Sequence, residues 1–235
     1  MTRVFRDPVH GPLPGLLFLL TAVTGVIDAV SLLTLGRVFV ANITGTIVTL
    51  GLALAGTLGI VRETALAALA TFVLGAYAGG QLIERFGSHR GRLLVWTTVV
   101  ELVFVVAAVP VIVPLTETVA PTFTVRAVVA AALLAFGMGI QNATVRRLKV
   151  PDITTTVVTM AVTGLVADEH GGGRDSIVRR LIAVLMLLAG AALGAFLVLR
   201  AGPAWALVVS AAMIAVVLAV AAVSSRTPQE WHAPR

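Results

Sequence analysis

The chain contains no cysteine, and only 12% of its residues are charged. The first absence excludes disulfide bonds, thiolate metal sites and cysteine nucleophiles. The small charged fraction goes together with 58% hydrophobic residues and a mean hydropathy of +1.03. Such a chain cannot be a soluble globular domain, because too little polar surface remains to face water. The composition therefore indicates an integral membrane protein.

The residue patterns of an active site, a metal centre or a cofactor site are also missing from the sequence. The four histidines lie far apart, without metal-ligand spacing, and the glycine-rich stretch 171–174 lacks the Lys-Ser/Thr ending of a phosphate loop. No nucleophile–base pair or paired-carboxylate motif stands out. We therefore expect no enzymatic activity, no metal and no cofactor. The net charge of +6 is assigned to basic loops beside a membrane, and nucleic-acid binding is not expected.

Six apolar runs are each long enough to cross the hydrocarbon core, which takes about 20 helical residues. They lie near 14–35, 64–84, 93–113, 124–145, 177–199 and 204–223. Two further runs, near 42–60 and 152–168, are less clearly membrane spans. The first long run exceeds the length of a signal-peptide core and lacks a small-residue cleavage site, so we expect it to remain as the first span.

The segment 40–51 (VANITGTIVTLG) recurs as 150–161 (VPDITTTVVTMA), with six identities in twelve positions. Further pairs keep the same order along the chain: Gly25 with Gly139, Asp28 with Asn142, Gly75 with Gly190, and Glu101 with Ser210. We therefore divide the chain into two membrane repeats, 14–114 and 124–224. The proline-containing stretch 110–121 joins them, with 115–123 as the linker, and the short segments 1–13 and 225–235 lie outside.

The positions of Lys and Arg distinguish two topologies. Eight crossings split these residues nine against eight, whereas six crossings place thirteen on one side and four on the other. The positive-inside rule favours six transmembrane helices, with 42–60 and 152–168 as broken or re-entrant segments and with both termini cytoplasmic. Each repeat then has three crossings, and because this number is odd, the second repeat is inverted relative to the first. The predicted fold is an all-α membrane protein. A helix over 42–58 is about 25 Å long, which is generous for partial entry, so eight spans stay open.

Each copy of the repeated segment brings polar side chains to the start of a helical run. Asn42 and Asp152 are natural N-caps, and helix starts inside a membrane must be buried in protein or line a wet cavity. We predict that the two helix starts bind a small solute near the midplane. The other predicted binding residues are Thr44, Thr46, Gln141, Asn142, Thr154, Thr155 and Thr156. In the alternative, Asn42 and Asp152 only cap their helices, the threonines bond back to carbonyl groups, and Gln141 and Asn142 form an interfacial helix end.

Two acidic residues fall inside apolar spans. Asp28 lies about 21 Å along the first span, and Glu101 about 12 Å along the span that begins near Leu93. An isolated ionised carboxylate there costs several kcal/mol, so each is expected to be protonated, paired or hydrated, and each is a candidate for proton coupling. The structural alternative for Asp28 is a hydrogen bond to a polar neighbour such as Asn142. For Glu101 the alternative is a buried structural hydrogen bond.

Four strings carry a resemblance to a known family: GVIDAVS (25–31), GRVFVANITG (36–45), GMGIQNA (137–143) and VPDITTT (150–156). They resemble the YoaK-like family of bacterial multi-span membrane proteins, a domain of unknown function, over about 14–223. The resemblance implies an inner-membrane protein of about six helices. It implies no substrate and no functional residues.

The hypothesis that combines these features is a small secondary transporter of the inner membrane for a small polar or anionic solute, with Asp28 and Glu101 as the candidates for coupling it to protons. Because Asp152 adds negative charge beside the predicted site, a cationic or neutral solute is also compatible. A membrane scaffold or sensor is an alternative; it would bind a protein or anionic lipid through the basic segments 85–92 and 146–149. A channel is a third. Membrane lipids and a homo-oligomeric assembly are the other expected partners.

Overall fold

The computed structural model describes residues 2–5, 10–57, 59–114, 124–151, 161–163 and 174–226. The regular elements whose bounds lie in these residues are all α-helices. They are α1 (Thr2–Phe5), α2 (Leu13–Thr34), α3 (Ile43–Leu54), α4 (Arg62–Phe86), α5 (Arg90–Ile112), α6 (Val125–Leu148), α7 (Arg174–Ala201) and α8 (Pro203–Arg226).

Six of these helices, α2 and α4 to α8, are long and apolar enough to cross a membrane. They coincide with the six predicted spans, which confirms the all-helical fold and the number of candidate crossings. Helix α2 lies at the centre of the bundle, since 17 of its 22 residues are buried, against 5 of the 25 residues of α4. Helix α5 continues through Pro110, so the predicted joint at 110–121 begins too early. A proline inside a membrane helix removes one backbone hydrogen bond and is tolerated where neighbouring groups satisfy the freed carbonyl.

Close helix contacts between the two repeats occur twice, at equivalent residues. A Cβ atom added to Gly75 of α4 would lie 2.1 Å from the carbonyl oxygen of Phe136 in α6. A Cβ atom added to Gly190 of α7 would lie 2.0 Å from the carbonyl oxygen of Ala22 in α2. Only glycine permits this approach of two backbones, as is common between membrane helices. The pair α4 with α6 therefore packs in the same way as the pair α2 with α7.

The same pairs show that each of the two contacts joins parallel helices. Gly75 lies against Phe136, and one turn later Gly79 lies against Ile140. In the other pair, Gly190 lies against Ala22 and Gly194 against Val26, again with both numbers increasing together. Each repeat thus places its second long helix along the first long helix of the other repeat.

The segment between α2 and α4 leaves and returns at one end of the bundle. The backbone N–H of Val61 donates to the carbonyl oxygen of Gly36 at 3.2 Å. Helix α3, within this segment, has 12 residues and a length of about 18 Å. It is shorter than the 25 Å considered from the sequence, which removes the objection to partial entry. The equivalent segment 152–168 lies outside the described residues, except for 161–163.

Candidate functional site

Asp28 holds the chain that leads into α3. Its Oδ1 atom accepts hydrogen bonds from the backbone N–H groups of Val40 at 3.1 Å and Ala41 at 2.9 Å. Asp28 precedes the end of α2 by six residues, or about 9 Å of helix. The chain therefore turns back into the bundle before α3 begins. Backbone N–H groups buried there need a partner, and this carboxylate supplies it.

The polar residues at the start of α3 serve different purposes. Asn42 occupies the N-cap position, as predicted, but its side chain makes no capping hydrogen bond. The hydroxyl of Thr46 is buried and donates to the carbonyl oxygen of Phe39 at 2.5 Å, which is the alternative use considered for the threonines. Thr44 is exposed. Asn42 is thus left with a side chain that can face a ligand.

A cavity of about 340 Å³ lies between α2, α7 and the chain leading into α3. This volume is at the lower end of the range for small-molecule pockets, about 300–1,000 Å³. Its polar side chains are those of Thr24, Asp28 and Asn42. The remaining lining is apolar: Gly25, Ala29, Leu32, Leu33, Phe39, Leu187, Ala191 and Ala195. The cavity suits a small molecule with one polar end and an apolar body.

A side-chain hydrogen bond connects this cavity to the second repeat. The amide Nε2 of Gln141 in α6 donates to the Oγ1 atom of Thr24 at 3.1 Å, and both side chains are buried. Thr24 was not among the residues predicted from the sequence. The signal that could have found it is its position one turn before Asp28, on the same face of α2. Gln141, which was predicted to bind the solute, forms a hydrogen bond with a residue that lines the cavity.

Glu101 occupies a different place, at the contact between α5 and α6. Only 1% of it is exposed, and its Cα and Cγ atoms lie 3.8 Å from a Cβ position built on Gly137. Within the described residues, its Oε1 atom has no hydrogen-bond partner. The same holds for the hydroxyl of Thr98, one turn earlier on α5. The two predicted proton carriers, Asp28 and Glu101, are therefore on separate helices with different surroundings.

Of the other predicted binding residues, Asn142 is not part of the cavity lining, and four are not described by the structure. The amide Nδ2 of half-buried Asn142 donates to the carbonyl oxygen of Met138 at 3.0 Å. Four residues of the second repeated segment, Asp152, Thr154, Thr155 and Thr156, lie outside the described residues. In the part of the chain that is described, no three His, Asp or Glu side chains cluster as metal ligands would.

Arg90 lies in the basic segment 85–92, which the scaffold alternative treats as a binding surface. It is 5% exposed, and its Nη2 atom donates to the carbonyl oxygen of Leu148. An arginine at the start of α5 thus satisfies a carbonyl group that the end of α6 leaves open. Arg90 therefore joins two helix ends and is not available as part of a free basic surface.

Two comparisons with known proteins agree with the predicted resemblance. Residues 16–220 match the family described as "Protein of unknown function (DUF1275)". The chain is 30% identical over 156 residues to the UPF0700 transmembrane protein YoaK of Bacillus subtilis (strain 168). That alignment covers 66% of this chain and 67% of the relative. The resemblance to the YoaK-like family is thereby confirmed.

Proposed function

The chain belongs to the DUF1275 family and is a multi-pass membrane protein, and from this premise we propose that it carries a small solute across the bacterial inner membrane. The observation that supports transport most strongly is the cavity beside Asp28. It lies between helices of both repeats, at the point where the chain turns back into the bundle before α3. Irregular backbone at such a depth is typical of substrate sites in transporters.

The electrostatics of the cavity favour a neutral or cationic solute over an anion. A helix start attracts anions because its backbone N–H groups lack partners. Here the N–H groups of Val40 and Ala41, just before α3, already donate to the carboxylate of Asp28. These two N–H groups precede the N-cap Asn42, and an anionic solute in the cavity would also be repelled by the negative charge of an ionised Asp28. Asp28 and Asn42 instead offer oxygen acceptors to a solute that carries N–H or O–H groups.

The helix directions support the inverted arrangement of the two repeats. Helix α4 starts beside the end of α2, as the Gly36–Val61 hydrogen bond requires, so these two helices run in opposite directions. Helix α4 runs parallel to α6. The first long helices of the two repeats, α2 and α6, therefore oppose each other. Carriers with this symmetry alternate access by moving one repeat against the other around a central site.

Asp28 is our candidate for proton coupling, because its carboxyl group lines the cavity and a bound solute can contact it. A proton bound by Asp28 changes the charge that the solute meets. Protonation also weakens the hydrogen bonds that Asp28 accepts from the chain before α3, since hydrogen bonds to an ionised acceptor are stronger than those to a neutral one. The proton and the solute would therefore both act on the chain that leads into α3.

Uptake into proteoliposomes tests this function. We expect at least one member of a radiolabelled panel of neutral and cationic solutes of amino-acid size to accumulate when a pH gradient is applied. Ala195→Trp fills the cavity and should reduce uptake at least tenfold, whereas Leu188→Trp, on the exposed face of the same helix, should not. Asp28→Asn should remove the dependence on the gradient. No uptake of any solute, or equal uptake by both tryptophan variants, would contradict the proposal.

A further inference from the structure

Three buried oxygen atoms at the contact between α5 and α6 have no hydrogen-bond partner within the described residues. They are Oγ1 of Thr98, Oε1 of Glu101 and Oε1 of Gln141. The exposed fractions of the three residues are 1%, 1% and 2%. A buried polar atom without a partner costs about 1–3 kcal/mol, and more for a charged group. Three such atoms on two facing helices point to a ligand that they share.

The packing of α5 on α6 brings these atoms to one level of the bundle. Glu101 packs on Gly137, and Arg90, further toward the start of α5, reaches Leu148 at the end of α6, so the two helices are antiparallel. Thr98 lies one turn before Glu101, and Gln141 one turn after Gly137. Helical side chains lean toward the N-terminus of their helix. On antiparallel helices, the side chains of Glu101 and Gln141 therefore lean toward each other.

The orientation of the Gln141 amide follows from its hydrogen bond to α2. The hydroxyl of Thr24 donates to the carbonyl oxygen of Leu20 at 3.0 Å, so it can only accept from Gln141. The amide nitrogen of Gln141 must face Thr24. Its Oε1 atom is then the acceptor that remains, and it requires a donor or a cation from elsewhere.

We propose that Thr98, Glu101 and Gln141 bind one small monovalent cation, Na⁺, between α5 and α6. Carboxylate, amide and hydroxyl oxygens are ligands for hard cations, and a single carboxylate balances one positive charge. The set contains too few carboxylates for a typical divalent site. This site is distinct from the cavity at Asp28 and is connected to it through Gln141 and Thr24. If the proposed transport function holds, the site supplies a coupling ion for it.

Binding of ²²Na⁺ to the purified full-length protein in detergent tests the site without any transport assay. We expect one ion per chain, displaced by unlabelled NaCl and not by choline chloride, and a melting temperature that rises with NaCl at constant ionic strength. Glu101→Gln and Thr98→Val should each weaken binding at least tenfold. The matched control is Ser210→Ala, at the position equivalent to Glu101, where the buried hydroxyl bonds within its own helix. This control should bind as the unmodified chain does.

Absence of ²²Na⁺ binding to the unmodified chain overturns the proposal, as does equal binding by Thr98→Val and the unmodified chain. If Glu101→Gln fails to fold, the neutral Thr98→Val variant decides alone. Stabilisation that follows pH and is independent of NaCl also overturns it, because Glu101 then holds a proton in place of a cation. Na⁺ binding without transport of any solute would support this site and contradict the proposed transport function.

Discussion

The backbone N–H of Val61 lies 3.2 Å from the carbonyl oxygen of Gly36, and this hydrogen bond ties the residue before α4 to the turn after α2. The 24 residues between these two, including α3, therefore form a loop that opens at one end of the bundle. A segment with joined ends cannot carry the chain from one membrane face to the other. The loop keeps α2 and α4 antiparallel, and the proposed inverted arrangement depends on that relationship.

Single cysteines introduced into this naturally cysteine-free chain should show that both ends of the loop lie at the same membrane face. Arg37→Cys, Thr57→Cys and Arg62→Cys should react with a membrane-impermeant maleimide from one face of right-side-out or inverted vesicles. Ser88→Cys, in the exposed turn between α4 and α5, should react from the other face and serves as the control. Labelling of Arg37→Cys and Arg62→Cys from opposite faces would show that the segment crosses, and would contradict the closed loop.

Asp28 should contribute to stability through the two hydrogen bonds that it accepts from backbone N–H groups. Asp28→Ala leaves the N–H groups of Val40 and Ala41 without this partner, at a cost of about 1–3 kcal/mol each. Asp28→Asn keeps an oxygen acceptor and should lose less than half as much. Thermal unfolding in detergent, followed by tryptophan fluorescence, measures both.

The control for this series is Thr21→Val on the same helix. The hydroxyl of Thr21 is equally buried, but it donates to the carbonyl oxygen of Leu17 within α2. We expect a change of at most about 0.5 kcal/mol there, since that carbonyl also belongs to the helical ladder. If Asp28→Ala proves as mild as this control, Asp28 does not hold the chain before α3.

The duplicated glycine contacts predict matched losses of stability in the two repeats. A Cβ atom in Gly75→Ala meets the backbone of Phe136, and one in Gly190→Ala meets the backbone of Ala22. Overpacking of this kind costs about 1–3 kcal/mol, so both variants should unfold at clearly lower temperatures. Gly80→Ala, with nothing within 4 Å of the added atom, should be neutral or more stable by up to about 1 kcal/mol. Equal effects of Gly75→Ala and Gly80→Ala would refute the close α4–α6 contact.

The features of the fold that could be predicted from the sequence are those written in local composition. Apolar runs of about 20 residues locate the six long helices because hydrocarbon tolerates little else. The internal repeat also pairs Gly75 with Gly190, outside the segments 40–51 and 150–161, and the structure shows these two glycines in equivalent contacts. The end of α3 at Leu54 was not predicted, although Gly56 is a signal for it. Gly56 has a φ of 86°, and the N–H groups of Gly56 and Thr57 donate to the carbonyl oxygens of Ala53 and Leu52, an arrangement that commonly ends helices at a glycine.

The candidate site was only partly predictable because its members meet through tertiary packing. Asp28 stood out as an acid within an apolar run, but its partners are backbone groups, which carry no signature in the sequence. Thr24 and Thr98 escaped notice because threonine is common in membrane helices and usually bonds within its own helix. Thr24 also bonds within its own helix, to Leu20, and only the additional hydrogen bond that it accepts from Gln141 depends on the facing helix.

The Thr24–Gln141 hydrogen bond should be measurable as a coupling energy between α2 and α6. Thr24→Val and Gln141→Leu each remove one partner, and the double variant should be less unstable than the sum of the two by about 0.5–1.5 kcal/mol. Thr144→Val is the control on α6, because its hydroxyl donates within the helix to Ile140. It should be additive with Thr24→Val to within about 0.5 kcal/mol. Additivity of Thr24→Val with Gln141→Leu would mean that the two helices are not coupled at this point, and the connection between the cation site and the cavity would then be lost.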